Sequence, residues 1–254
     1  MAYRTLSIIV PAFNEALNLA GAVHESIASA EAVGLDDWQI IVVDDGSTDD
    51  TAVVAERLAR QIPCVETVRH ERNLGFAAAY RTGLALARME HVTFVPGDNE
   101  VAPDSLRDIF AAIGSAELVV PYHATPWLRS WGRRLLTWVS THEVNLLFGW
   151  GMHYYQGPTV YPTDLARALP VSCSGFFYVT EMLVEALFAG YTCVEVGLRH
   201  QERSYGRSKA VGLTKILDAE REILQLWWDL RICRRPALSD SSASTVSALA
   251  IRKS

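Results

Sequence analysis

Along the first half of the chain, apolar positions alternate between two arrangements, short unbroken runs and stretches with helical spacing. LSIIVPAF (6–13) and WQIIVVDD (38–45) are continuous apolar runs that end in polar residues. That is the pattern of strands buried on both faces of a parallel sheet, with their exits facing a site. Between them, Glu15 to Val33 has helical spacing, and Asp49 is placed to cap a second helix, DDTAVVAERLARQ. CVETVRH predicts a third strand, Gly75 to Arg88 a third helix, and HVTFVP a fourth strand. Pro103 suits the first turn of a helix over PDSLRDIFAAI. Strand and helix in strict alternation predict a doubly wound α/β half.

The second half is less regular. WLRSWGRRLLTWVSTHEVNLLFGW (127–150) sets Trp127, Trp131, Leu135, Trp138 and Leu146 to Phe148 among Arg129, Arg133 and Arg134. This makeup fits a helix lying in a membrane interface, and equally an amphipathic helix packed on a core or on a second copy of the chain. Lys209 to Arg231 predicts a C-terminal amphipathic helix that covers the sheet, reaches a partner or touches lipid. After Pro236 the residues turn small and polar, so 236–254 read as a flexible tail.

Composition narrows the function classes. A chain of 254 residues at 50% hydrophobic content builds one sizeable core, and a formal charge of −6 gives no basic field for nucleic acid. Cys64, Cys173, Cys193 and Cys233 are scattered, without a CxxC pair. The LSIIVP run is short and has no basic leader, so reduced thiols and a cytoplasmic location are expected. The uncharged run from Val144 to Thr163 carries Asn145, His153, Gln156, three glycines and two prolines, which argues against a membrane span.

Ligands of parallel sheets collect at the carboxyl ends of the strands, where this chain has Pro11, Asn14, Glu15, Asp44, Asp45 and Asp98. Acids there suit hydrogen bonds to a base or ribose, with a bridging cation to neutralise a diphosphate. Neither GxGxxG nor GxxxxGK occurs, which counts against dinucleotide and P-loop readings.

SIIVPAFNE, IIVVDDGSTDDT, RNLGFAAAYRTGLALA, FVPGDNEVAP and VEVGLRHQERSYGRSK, in that order, resemble the motifs of family 2 glycosyltransferases with the GT-A fold. The last motif is similar to that of the dolichyl- and polyprenyl-phosphate sugar synthases. The resemblance implies a Rossmann-like, mostly parallel central sheet flanked by helices over 1–235. A nucleotide-sugar-binding half would span 1–121 and an acceptor-binding half 122–235. It also implies an inverting transfer from a UDP- or GDP-sugar to a polyprenyl or dolichyl phosphate, at the cytoplasm or peripherally at a membrane face. A soluble hydroxyl acceptor, or a non-catalytic nucleotide-sugar-binding module, stands as the alternative.

Carried over residue by residue, Pro11, Phe13 and Glu15 fall in the nucleotide pocket, and Val43 with Asp45 fall where the base and ribose are recognised. The family's Asp-x-Asp is here Pro96, Gly97 and Asp98, which leaves Asp98 as the Mg²⁺ or Mn²⁺ ligand and Glu100 where relatives often have Gln. Arg203 and Lys209, six residues apart around Gly206, would fold over the diphosphate and stabilise its leaving charge; the other reading is a basic exposed loop. Glu181 is the residue expected as general base for a hydroxyl acceptor, or else an exposed helix acid. Where relatives place a phosphate-binding arginine after the fifth strand, this chain offers His123, either a phosphate donor or an ordinary loop histidine. YYQGPTVYP, with Tyr154, Tyr155 and Val160, replaces their acceptor motif.

Overall fold

The computed structural model describes residues 4–125, 131–173, 175, 177–201 and 221–233, with Arg133 described by its backbone alone. Four strands, β1 (Thr5–Ala12), β2 (Asp37–Asp44), β3 (Val65–Arg69) and β4 (His91–Phe94), run parallel. A two-residue strand, β6 (Tyr161–Pro162), closes the edge antiparallel to β4, giving the order β3-β2-β1-β4-β6. A second sheet pairs β5 (Leu118–His123) with β7 (Cys193–Leu198) in parallel, and an antiparallel bridge between Val119 and Val160 ties it to the first.

Side chains of a strand alternate between faces, and here that alternation builds two cores. Ile8, Val10, Ile40 and Val42 meet α1 (Leu19–Ala32), α2 (Thr51–Gln61) and α4 (Pro103–Ala111) on one face. Ile9, Ile41 and Val43 meet α3 (Phe76–Leu86), α6 (Thr163–Ala168) and α7 (Tyr178–Phe188) on the other. α3 lies very close to β1. A Cβ on Gly83 would stand 2.4 Å from Ile9 Cγ2, so only glycine fits there.

Element ends follow from competing hydrogen bonds. α1 begins at Leu19, four residues later than the spacing predicts, because the Glu15 and Ala16 amides are spent on the loop before α2. α3 stops at Leu86, since the Arg88 amide turns to Ser7 Oγ and Gln39 Oε1. Asp49 takes the Thr51 amide as expected of a cap, although Asp50 holds the N-cap position itself.

The tryptophan-rich segment forms α5 (Trp131–Phe148). Val144 and Phe148 enter the core, whereas Trp131, Trp138 and Leu146 stay exposed. The C-terminal helix is described over 221–227, here α8, and continues as a π-helical turn, Trp228–Ile232. Ile223, Leu226 and Leu230 pack it on the core, and Trp227 Nε1 donates to the Leu147 carbonyl at 3.0 Å. Among the described residues no helix is long and apolar enough to cross a membrane. Trp127, Arg129, residues 209–220 of the expected last helix and the 236–254 tail lie outside the described residues.

Candidate active site

Because β1, β2 and β4 are parallel, their carboxyl ends share one edge. Asn14 sits there with a φ of 58°, a left-handed conformation its short polar side chain tolerates. Its Oδ1 accepts the Thr48 amide at 2.8 Å, and its own amide donates to Ser47 Oγ at 2.9 Å. The Glu15 amide donates to Thr51 Oγ1 and Glu15 Oε2 accepts from Asn18 Nδ2, both at 2.8 Å. These bonds join the β1 and β2 exits into one rim, along which Pro11, Phe13 and Glu15 are half-buried. Val43 is fully buried, paired with Pro11 of β1 on one side and Val68 of β3 on the other.

The two acids after β2 face inward. Asp44 accepts the Ser47 amide at 3.0 Å and pairs with Arg69 Nε at 3.2 Å. Asp45 Oδ1 accepts the Leu74 amide at 2.9 Å and lies 2.8 Å from His70 Nδ1, while its Oδ2 accepts the Gly75 amide at 2.8 Å. The far nitrogen of His70 lies 2.9 Å from Thr82 Oγ1 on α3. Expected on the ribose or base, Asp45 has both oxygens bonded to the loop that starts α3.

The third exit holds the carboxylate loop. Pairing with β1 continues past the end of β4 through Val95 to Ile9 and Gly97 to Pro11, amide to carbonyl, at 2.8 and 3.1 Å. A Cβ on Gly97 would stand 3.1 Å from Ala12 Cβ and from the Pro11 carbonyl, a tight fit for any other residue. Asp98 Oδ1 accepts the Glu100 amide at 3.2 Å, which orients the carboxylate, and Pro96, Asp98 and Glu100 are half-buried at the rim.

Gln201 fastens this loop from the other half of the chain. Its amide donates to the Glu100 carbonyl at 2.9 Å, and its side chain donates to the Asn99 carbonyl at 2.9 Å and to Glu25 Oε2 at 3.1 Å. Two carboxylates are the hard oxygen donors that Mg²⁺ or Mn²⁺ prefers. Among the described residues, though, no group of three or more His, Cys, Asp or Glu side chains could hold an ion by itself, so the donor type fits and the donor number needs substrate oxygens. Arg203 and Lys209 lie outside the described residues.

Glu181 is buried, which rules out its other reading as an exposed helix acid. It stands in the first turn of α7 at 2% exposure, and its oxygens accept from the Ser172 amide, Ser172 Oγ and the Cys173 amide at 2.9 to 3.2 Å. A carboxylate so placed anchors the 171–173 loop. Burial, followed by the Glu181 carboxylate, pushes the Cys173 thiol well above its ordinary pKa.

A cavity of about 450 Å³ opens between the end of β5 and α5. Tyr122, His123 and His153 line one wall, and Arg134, Trp138 and His142 of α5 line the other. His123 is no isolated loop histidine: its ring lies 4.2 Å from that of Tyr154, and its Nδ1 lies 3.0 Å from Nε2 of His200. His200 in turn bridges Val101 by its backbone. A path of direct contacts therefore runs from the carboxylate loop through His200 to His123 and the cavity. Tyr154, Tyr155 and Val160, which stand in place of the relatives' acceptor motif, are buried. His70, His153, His200 and Gln201 were not singled out as site residues from sequence, although His200 and Gln201 lie in the last motif, since their partners are distant in the chain.

An acid-rimmed edge of parallel strands thus lies next to an imidazole- and arginine-lined cavity. The family model for Glycosyl transferase family 2 matches residues 7–171, which include all three strand exits. The chain belongs to glycosyl transferase family 2. This glycosyltransferase is 29% identical over 244 residues to a polyprenol monophosphomannose synthase of Mycolicibacterium smegmatis, covering 90% of this chain and 88% of that one. It is 24% identical over 235 residues to a dodecaprenyl-phosphate galacturonate synthase of Rhizobium johnstonii, covering 91% of this chain and 69% of the other. Glucosyl-3-phosphoglycerate synthase from Mycobacterium tuberculosis, crystallised with Mn²⁺, UDP and phosphoglyceric acid, matches in fold with a TM-score of 0.63 at 19% identity, over 89% of this chain and 78% of that one. The glycosyltransferase thus has the expected GT-A fold, a mostly parallel sheet flanked by helices.

Proposed function

We propose that the protein transfers a sugar, with inversion, from a nucleoside diphosphate sugar to a polyprenyl phosphate at a membrane face. The observation that carries this reading is the contact path from Asp98 and Glu100 through Val101 and His200 to His123 and the cavity. It sets an acidic donor rim beside a basic, aromatic acceptor cavity. The names of the two synthases similar to this chain support the acceptor class.

In this reading Pro11, Phe13 and Glu15 line the nucleotide, with Val43 buried beneath them, while Asp45 positions the loop that starts α3. Asp98 would hold Mg²⁺ or Mn²⁺, with diphosphate and water completing the shell and Glu100 at its edge. When bound, such an ion neutralises charge on the departing diphosphate. An oxygen of the acceptor phosphate attacks the anomeric carbon as the bond from that carbon to the diphosphate oxygen breaks. The electron pair leaves with the nucleoside diphosphate, towards Arg203 and Lys209. Since a phosphate oxygen is already anionic, no base has to remove a proton, and Glu181 acts as a loop anchor. His123, His153 and Arg134 supply donors for the acceptor phosphate.

The test is turnover of the purified full chain with a panel of UDP- and GDP-sugars, using a short-chain prenyl phosphate in detergent and, separately, soluble hydroxyl acceptors. Transfer to the prenyl phosphate that falls at least about tenfold in His123→Ala supports the proposal. Transfer only to hydroxyl acceptors refutes the acceptor class. Donor binding without transfer to anything supports a binding module instead.

A further inference from the structure

A helix on the surface of a soluble protein ordinarily turns one apolar stripe inward and a polar face outward. α5 carries two apolar stripes. Thr141, Val144 and Phe148 form the inner one, buried against the core. Trp131, Leu135, Trp138 and Leu146 recur at intervals of four, three and eight residues, which keeps them on one side of a 3.6-residue helix. They are 75%, 43%, 58% and 83% exposed. The last helix repeats the arrangement: Ile223, Leu226 and Leu230 point inward, and Leu224, Trp228 and Ile232 point outward with about half of each exposed. The two helices are joined where Trp227 bonds the Leu147 carbonyl.

We propose that the outer stripes of these two helices form the surface by which the protein lies in the interface of a membrane containing anionic lipid. The inference draws its biological sense from the lipid-phosphate reading above, but its test does not depend on that reading. Charge selects the occupant. The chain is net −6, yet the exposed charges among the described side chains of α5 and the last helix are Arg134, Arg221 and Arg231, of which Arg231 also donates to the Phe148 carbonyl. The acids of the same helices, Glu143, Glu222 and Asp229, are half-buried. Arg134 and Arg221, set outward near these apolar side chains, match lipid phosphates, whereas a second copy would present the same cations and gain no such match. Tryptophan also favours the interface, where its ring is apolar and its N–H wet.

The surface is continuous with the acceptor cavity. Trp131, Leu135 and Trp138 belong to the outer stripe and also line that cavity beside His123. A hydrocarbon chain lying in the membrane would therefore reach the cavity without crossing open water, and its phosphate would arrive at the imidazole end. The outer stripe of α5 from Trp131 to Leu146 runs about 22 Å along the helix axis, so the helix would lie in the interface plane without spanning the bilayer.

The full chain is tested by flotation with vesicles of phosphatidylcholine alone and with about one third phosphatidylglycerol, a probe that contains no acceptor. Binding should require the anionic lipid, weaken with salt and shift the tryptophan emission to the blue. The variant Leu146→Ser/Leu224→Ser/Trp228→Ser changes only stripe residues outside the cavity, and it should lower the partition coefficient by about tenfold or more. The same variant should keep the thermal unfolding midpoint of the parent and its turnover on a detergent-dispersed short-chain acceptor. Absence of binding to anionic vesicles overturns the proposal, as does binding that the variant leaves unchanged. A dimer seen by light scattering that the variant converts to monomer, with no vesicle binding, also overturns it and assigns the stripes to self-association. Vesicle binding that the variant abolishes, in a protein that glycosylates no prenyl phosphate, upholds the surface and refutes the function proposed above.

Discussion

Replacing Asp45 by Asn tests whether this acid serves the fold or the nucleotide. Its carboxylate is buried and holds the Leu74 amide and His70 on one oxygen and the Gly75 amide on the other. An asparagine amide in the same place keeps one acceptor. With its oxygen towards Leu74 and His70, its NH₂ faces the Gly75 amide, donor against donor. The flipped amide is worse, because its NH₂ then meets the Leu74 amide. At least one charge-assisted hydrogen bond is lost and a part-buried donor is stranded, which costs about 1.5–3 kcal/mol. A domain of this size is stable by about 5–15 kcal/mol, so the variant should fold. Urea denaturation without ligand should show a lower midpoint at an unchanged slope, and UDP titration by calorimetry gives the affinity change alongside. Stability within about 0.5 kcal/mol of the parent, together with a tenfold loss of UDP affinity, would refute the reasoning and return Asp45 to direct contact with the nucleotide.

Asp98→Asn should lose most activity and metal dependence while Glu100→Gln loses much less, read from turnover against Mn²⁺ concentration; the reverse order would mean that the carboxylate loop is assigned in the wrong register. Arg203→Ala and Lys209→Ala should each lower the rate constant about a hundredfold with little change in nucleotide affinity, because charge on the diphosphate grows only as the sugar bond breaks. A rise in Kd at constant rate would make them donor anchors. Burial tends to raise the Asp49 pKa, but the bonds from Thr51 and Ala16 outweigh it and leave the group below its ordinary 3.8. A lowered folded pKa stabilises above the unfolded value and is lost as pH falls through the folded one. The stability advantage of the parent over Asp49→Ala, measured by urea unfolding, should therefore hold at about pH 6 and shrink below about pH 3.8.

Much of the donor half was legible because its signals are local. Apolar runs gave β1 and β2, and polar residues at their ends gave the rim. The direction of Asp45 was also readable, though by a different rule: it follows Ile41 and Val43 at intervals of two, and both enter the core shared with α3. Strand alternation thus turns Asp45 towards α3 and its loop, and the motif resemblance hides this. The late start of α1 follows from amides captured across the rim by Asp49 and Thr51, which helical spacing does not register. Periodicity in α5 revealed amphipathic character but not that the helix has two apolar stripes, since only the packed structure shows which one the core takes. The link from His123 to His200 and the fastening of Asn99 by Gln201 span 77 and 102 residues, and separations of that size leave no local trace.

The Gln201 fastening bears on how this enzyme could be recombined with its relatives. One side chain ties Glu25 of α1 and Asn99 of the carboxylate loop to the strand that leaves β7, and Asn99 Nδ2 closes the ring on Glu25 Oε1 at 3.3 Å. A chimaera cut near residue 121, to join one parent's donor half to another's acceptor half, would divide this ring between unrelated sequences. The mismatch would loosen the loop that carries Asp98, even with every residue of the donor half intact. Donor exchange should therefore move Glu25, Asn99 and Gln201 together, since these three residues form one heritable unit although the chain holds them far apart.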